Sequence, residues 1–534
     1  MSRSISSRPR LLGRVMVAAV VATVGLGSAG VAEAAPAQAS GAVVWTGSGP
    51  VRGTVHPEYR TFQGIPFAAP PVGELRWRAP RPPRRWSWPP RDATRPAERC
   101  AQGAGGQRPS LNEDCLYLNV TTPRPAQRGQ RKPVMVWLHG GGNSYGKASE
   151  FDPHRLAVGG DVVVVTVSYR LGVFGFLGHP ALRDSGSYGL QDQQAALRWV
   201  RRNAAAFGGD PGNVTLFGES GGGHDVCAQL VSPRARGLFH RAIIQSGSCS
   251  STWPRHGIAP GVTAGSPWIP REQAEARGRE LAAELGCTDP ASAADCLRRL
   301  PAERVRQEET GPVLTPVTYG NRTLPWRPDR ALAAGWFHRM PVLSGRTRDE
   351  GRLSAAFLPS SFDRAQYRQL LGEAFGDRAD TVAARYPASD FGSPALALAA
   401  VTTDRVYSCP QLTDERMLAA RVPVYAYEFA DRNAPHGNYP IPADFPAGAF
   451  HAAELPYLFD IEPVSFTPAQ RELAATMVDY WAGFAWRGDP NAPGLPHWPK
   501  ARAATVLSLA PGAGGIRPVT LTDEHHCGFW AGLS

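Results

Sequence analysis

Lysine is nearly missing from this chain: Lys132, Lys147 and Lys500 are the only three in 534 residues, so the positive charge is almost all arginine. Scattered through a background rich in Ala, Pro and Gly, those arginines follow a compositional bias rather than a binding stripe. A formal net charge of +11 is modest over this length. Segment 76–91, rich in Arg, Pro and Trp, reads as irregular surface, and no nucleic-acid partner is expected. There is no Cys-x-x-Cys pair and no matching histidine spacing, which excludes a zinc site. No internal repeat is visible, and after residue 31 no apolar run is long enough to span a bilayer.

The start of the chain differs from the rest. Arg3, Arg8, Arg10 and Arg14 precede an apolar run from Val15 to Val31, which ends in Ala32-Glu33-Ala34. The run is short, rich in small residues and followed by a small-residue cleavage site, the pattern of a secretory signal peptide rather than a membrane anchor. Cleavage after Ala34, or near Ala39, leaves 35–40 as a short flexible start and 41–534 as a single domain, secreted and without a membrane anchor. Export permits disulfides, and the eight cysteines are even in number. Cys100 with Cys115 and Cys287 with Cys296 close short loops. Cys227, Cys249, Cys409 and Cys527 remain, with three pairings open.

Chemistry concentrates where Val214-Thr215-Leu216-Phe217 runs into Gly218-Glu219-Ser220-Gly221-Gly222-Gly223. Turn residues 207–213 precede this strand and a helix follows it, which is the setting of a nucleophile elbow, with Ser220 lifted out of the sheet. Upstream, the apolar strand Val134–Leu138 ends in His139-Gly140-Gly141-Gly142. That run lacks the Gly-Lys-Ser/Thr ending of a phosphate-binding loop, and no cofactor is expected. Its glycines suit an oxyanion hole made by the N–H groups of Gly141 and Gly142 with that of Gly221. The strand 162–167, a helix over 190–207 and the elbow strand give an α/β pattern with a mostly parallel central sheet.

A serine needs a base, and the base needs an acid to orient it. In the chain order Ser, acid, His, the base falls after Ser220, where His451 follows a loop rich in Pro, Gly and Asp. His436, His497, His525 and His526 are alternatives by position. Asp349-Glu350 follows the strand 341–345, and spacing does not choose between the two carboxylates.

Taken in order, Phe62-Gln63-Gly64-Ile65-Pro66-Phe67-Ala68-Ala69-Pro70-Pro71-Val72-Gly73, Glu113-Asp114-Cys115-Leu116-Tyr117-Leu118-Asn119, Tyr188-Gly189-Leu190 and Phe207-Gly208-Gly209-Asp210-Pro211 resemble the type B carboxylesterase/lipase family across nearly the whole mature chain. The resemblance implies an α/β-hydrolase fold with helical insertions forming the substrate pocket, and a secreted serine carboxylesterase acting on small-molecule esters. It selects Glu350 and His451 to complete a triad with Ser220. It makes Ser246 a residue that supports the triad, and pairs Arg76 with Glu113 in a salt bridge. It also implies a Cys409–Cys527 bridge and supports the two local ones, which leaves Cys227 and Cys249 as a fourth. A glyceride lipase is the nearest enzymatic alternative; a neuroligin-like binding protein would lack the nucleophile or base present here. The sequence departs from the family at Gly221, where alanine is common, at Asn143, where an aromatic is frequent, at Ser168, and at Asp225, where a small hydroxyl residue is usual. The charge at 225 is expected to act on His451. The short Cys100–Cys115 loop disfavours choline esters, and ester preference is expected to lie in 252–340 and 355–439.

Overall fold

Eleven strands, seven of them in one run of parallel pairings, carry the site. The computed structural model describes residues 42–103, 109–124, 130–307, 314–437, 439–461 and 464–533. The expected signal peptide and the flexible start at 35–40 lie outside the described residues. In chain order the strands of the main sheet are β1 (Thr54–Val55), β2 (Tyr59–Pro66), β3 (Tyr117–Pro123), β4 (Lys132–Leu138), β5 (Val163–Val167), β6 (Gly209–Glu219), β7 (Arg241–Gln245), β8 (Val342–Thr347), β9 (Val424–Phe429), β10 (Thr505–Leu509) and β11 (Arg517–Thr520). Their spatial order is β11-β10-β9-β8-β7-β6-β4-β5-β3-β2-β1. Pairings from β5 through β10 are parallel, and antiparallel strands close both edges.

Alternation along these strands divides the core between two faces. Val134, Val136 and Leu138 of β4 pack on one side with Leu190, Leu197 and Trp199 of helix α1 (Tyr188–Asn203), while Met135 and Trp137 face the other. Between β6 and β7 the chain forms helix α2 (Gly221–Val231), and helix α3 (Arg271–Glu284) lies in the following insertion. The face with Met135 and Trp137 is covered by helix α4 (Pro468–Arg487), through Leu473, Met477, Trp481 and Phe484. Burial on both faces is why the central strands read as continuous apolar runs. Each such side chain removed from water contributes about 1.5–3 kcal/mol.

Two boundaries differ from the sequence reading. The helix expected over 190–207 begins at Tyr188, and its last turn, Ala204–Phe207, tightens into a 3-10 turn closed by Gly208 at φ 86°. The expected turn at 207–213 is partly absorbed into β6: Lys132 pairs with Gly209 and Val134 with Val214, so the intervening residues bulge out of register. All eight cysteines are paired, Cys100–Cys115, Cys227–Cys249, Cys287–Cys296 and Cys409–Cys527. No helix among the described residues is long and apolar enough to cross a membrane.

Candidate active site

Adjacent parallel strands deliver the site to one edge of the sheet. Leu138 pairs with Gly218, and Gln245 with both Glu219 and Gly345, so the glycine loop after β4, the elbow after β6 and the acid loop after β8 emerge side by side at the carboxyl ends. Ser220 occupies φ 54°, ψ −119°, a strained conformation for a residue with a Cβ, held by its N–H donating to the Gln245 carbonyl at 2.9 Å. The turn closes only because its neighbours are small: a Cβ on Gly222 would stand 2.0 Å from the Leu138 carbonyl oxygen.

The two adjacent carboxylates turn to different partners. Asp349 turns away, accepting from Arg432 Nε at 3.0 Å and Nη2 at 2.9 Å and from the Ala449 amide at 3.0 Å. Glu350 turns inward, taking the Thr347 N–H on Oε1 at 2.9 Å and meeting His451 Nδ1 with Oε2 at 2.5 Å. The other candidate histidines lie elsewhere: His525 is bound between Asp404 and Glu428, and His526 contacts Arg385. No ion pair joins His436 or His497 to a carboxylate among the described residues.

Two acidic neighbours of His451 escaped the sequence reading. Its Nε2 faces Glu219 Oε1 at 3.2 Å. Glu454 lies buried close by, its Oε1 accepting from Gln245 Nε2 at 3.0 Å. Both had a signal, Glu219 as the residue before the elbow serine and Glu454 three positions after the base. Burial opposes the imidazolium, but the charges of Glu219 and Glu350 outweigh it and raise His451 to about 9. Burial also pushes Glu219 and Glu454 up. Asp225 is not among these neighbours. Contrary to the expectation that it would act on His451, its carboxylate is bound by Asn143 at 3.1 Å and Gln193 at 2.5 Å. Ser246 is fully buried at φ 49°, its N–H donating to the Gly345 carbonyl, and its hydroxyl has no hydrogen-bond partner among the described residues.

Gly141 and Gly142 follow β4 with φ of 98° and 59°. The amide nitrogen of Gly142 lies only 2.8 Å from where a Cβ of Gly221 would be, so loop and elbow are in direct backbone contact. Ser220, Gly142 and His451 open into a cavity of about 800 Å³, whose walls include Trp253, Trp268, Phe357 and Tyr407. Much of that wall comes from residues 253–277, inside the first segment expected to set ester preference. The second contributes only 357–359 and Tyr407. Arg76 and Glu113 form a bidentate pair at 2.5 and 2.7 Å, away from these walls.

A strand-to-helix elbow at the carboxyl edge of this sheet order defines an α/β-hydrolase. The chain belongs to the carboxylesterase family: the family described as "Carboxylesterase family" matches residues 40–530, and the protein is a carboxylic ester hydrolase. It is 36% identical to the fumonisin B1 esterase of Sphingopyxis macrogoltabida over 95% of this chain and 94% of that protein. It is 35% identical to the para-nitrobenzyl esterase of Bacillus subtilis over 88% and 94%. A solved PNB esterase superposes with a TM-score of 0.72 at 33% identity, covering 89% of this chain and 97% of that one.

Proposed function

We propose that the protein is a secreted serine carboxylesterase in which Ser220 attacks the ester carbonyl, His451 Nε2 takes the serine proton, and Glu350 orients the imidazole and stabilises its cation. The amides of Gly141, Gly142 and Gly221 receive the oxyanion of the tetrahedral intermediate. Collapse of that intermediate breaks the bond to the alkoxy oxygen, which leaves as the alcohol with the proton from His451. Water, deprotonated by the same histidine, then releases the acid and restores Ser220. The single observation that supports this reading best is the 2.5 Å contact of His451 with Glu350 at a cavity that Ser220 also lines.

A largely apolar cavity of about 800 Å³ favours esters with small or medium acyl groups over bulk lipid. Export rests on the leader at 1–34 and on four disulfides that an oxidising compartment would preserve, with 41–534 acting as one domain. A fluorophosphonate probe should label the protein and fail on Ser220→Ala at unchanged thermal stability. Labelling that persists in the variant would overturn the assignment. Sequencing of the exported protein from residue 35 would support the leader, and retention of residues 1–34 would contradict it.

A further inference from the structure

Asn143, Gly221 and Asp225, three positions at which the family resemblance leads one to expect other residues, converge in space although 82 residues separate the first from the last. Asn143 follows the oxyanion glycines at φ 60°, a left-handed conformation that Asn tolerates better than most side chains. Its amide nitrogen would lie 3.1 Å from a Cβ on Gly221, and its Nδ2 donates to Asp225 Oδ1 at 3.1 Å. Asp225 sits on α2, fully buried and one turn beyond the serine.

From the other side, Gln193 Nε2 of α1 donates to Asp225 Oδ2 at 2.5 Å. The Gln193 amide cannot reverse freely, because its Oε1 already accepts from Gln229 Nε2 at 2.9 Å, and the Gln229 oxygen in turn accepts from Gln194. The amides of Gln194, Gln229 and Gln193 thus donate in succession toward position 225, while Gln229 Nε2 also reaches the Leu190 carbonyl at 3.0 Å and Gln194 Nε2 the Ser232 hydroxyl at 3.1 Å. A carboxylate offers two accepting oxygens and no donor, so it alone satisfies both ends; a serine is too short, and an asparagine presents one acceptor and one donor. Burial raises the Asp225 carboxyl, to about 7 on balance, against the hydrogen bonds of Asn143, Gln193 and Tyr169, which favour the ionised acceptor. The same loop is also held at its root, where the Tyr169 hydroxyl donates to the His139 carbonyl at 2.8 Å.

We infer that Asp225 is a positioning residue for ester hydrolysis, anchoring the glycine loop through Asn143 so that the Gly141 and Gly142 amides stay directed at the oxyanion. Gly221 belongs to the same arrangement, since only a residue without a Cβ lets the anchored loop approach the elbow this closely. The inference rests on the proposed oxyanion hole. A misdirected donor costs transition-state stabilisation while leaving ground-state binding of the ester nearly unchanged.

The test is steady-state hydrolysis of p-nitrophenyl acetate by the full mature protein and by Asp225→Asn, Asn143→Gly and the double variant. Asp225→Asn keeps the shape and removes one acceptor. Asn143→Gly keeps the left-handed backbone and removes the same bond from the loop side, so it carries the test if the buried substitution does not fold. Each single variant should lower kcat by about tenfold or more with KM within about twofold, and a trifluoromethyl ketone inhibitor should weaken in step with kcat/KM. The double variant should be no slower than the worse single, because both remove one interaction. Unchanged kcat, losses that multiply, or losses confined to KM would each overturn the inference. Ser220→Ala assayed alongside separates the two readings: if it is inactive while Asp225→Asn turns over normally, only the role of Asp225 falls.

Discussion

His451 Nε2 lies 3.2 Å from Oε1 of Glu219, the residue immediately before the elbow serine, while its Nδ1 is held by Glu350 at 2.5 Å. The proposed base is thus flanked by carboxylates on both ring nitrogens, which raises it to about 9 against the opposing effect of burial. Such surroundings favour the protonated imidazole, and a base must be neutral to accept the serine proton. The rate should therefore climb with pH through the alkaline range. Glu219→Gln removes one of the three carboxylates, with Glu350 and Glu454, that raise the imidazolium, and should move the rising limb of kcat/KM to lower pH by about one unit. A pH–rate profile measures this directly; a limb that stays in place or moves upward would show that Glu219 does not set the proton affinity of His451.

Gly221 provides a second test, because the family resemblance makes alanine the ordinary residue there. In this protein an added Cβ would stand 2.8 Å from the Gly142 nitrogen, 3.0 Å from its Cα and 3.1 Å from the Asn143 nitrogen, all backbone atoms that cannot rotate aside. Gly221→Ala should displace the glycine loop and lower kcat by about 10- to 100-fold, with a smaller change in KM. Kinetics on a soluble p-nitrophenyl ester decide it, and an alanine variant with parental kcat would show that the loop relaxes without loss.

Much of this architecture was legible because single segments carried it. Val134–Leu138 and Val163–Val167 read as buried strands because both faces of the sheet demand apolar side chains, and the elbow announced itself through glycines that the turn cannot replace. Choosing Glu350 over Asp349 was beyond spacing, since adjacent residues differ only in which way each side chain turns, and Arg432, 83 positions from Asp349, is what turns that one away. The same reason hid Glu454 and the partners of Asp225. Their meaning lies in contacts across 209 and 82 residues with Gln245 and Asn143, which periodicity along the chain does not encode.

The buried His525, one of the histidines that position alone offered as a base, supports a prediction about stability rather than activity. Its Nδ1 meets Asp404 at 2.5 Å and its Nε2 meets Glu428 at 2.7 Å, and Tyr386 donates to the far oxygen of Asp404 at 2.7 Å. This places a cation between two carboxylates two residues before Cys527, whose disulfide to Cys409 fastens the end of the chain. Burial lowers the proton affinity of His525, but Asp404 and Glu428 reverse that and raise it to about 10, compared with about 6.5 in an unfolded chain. A group whose folded pKa is raised stabilises fully below its unfolded value, so the contribution is complete below about pH 6.5 and is lost as pH rises through about 10. His525→Gln, which leaves the two carboxylates without their cation, should cost about 3 kcal/mol near pH 6. Its deficit relative to the parent should shrink steadily as pH rises toward 10. Urea unfolding of both proteins across this range gives the difference curve, and a deficit independent of pH would mean that His525 holds the C-terminal segment by packing rather than by charge.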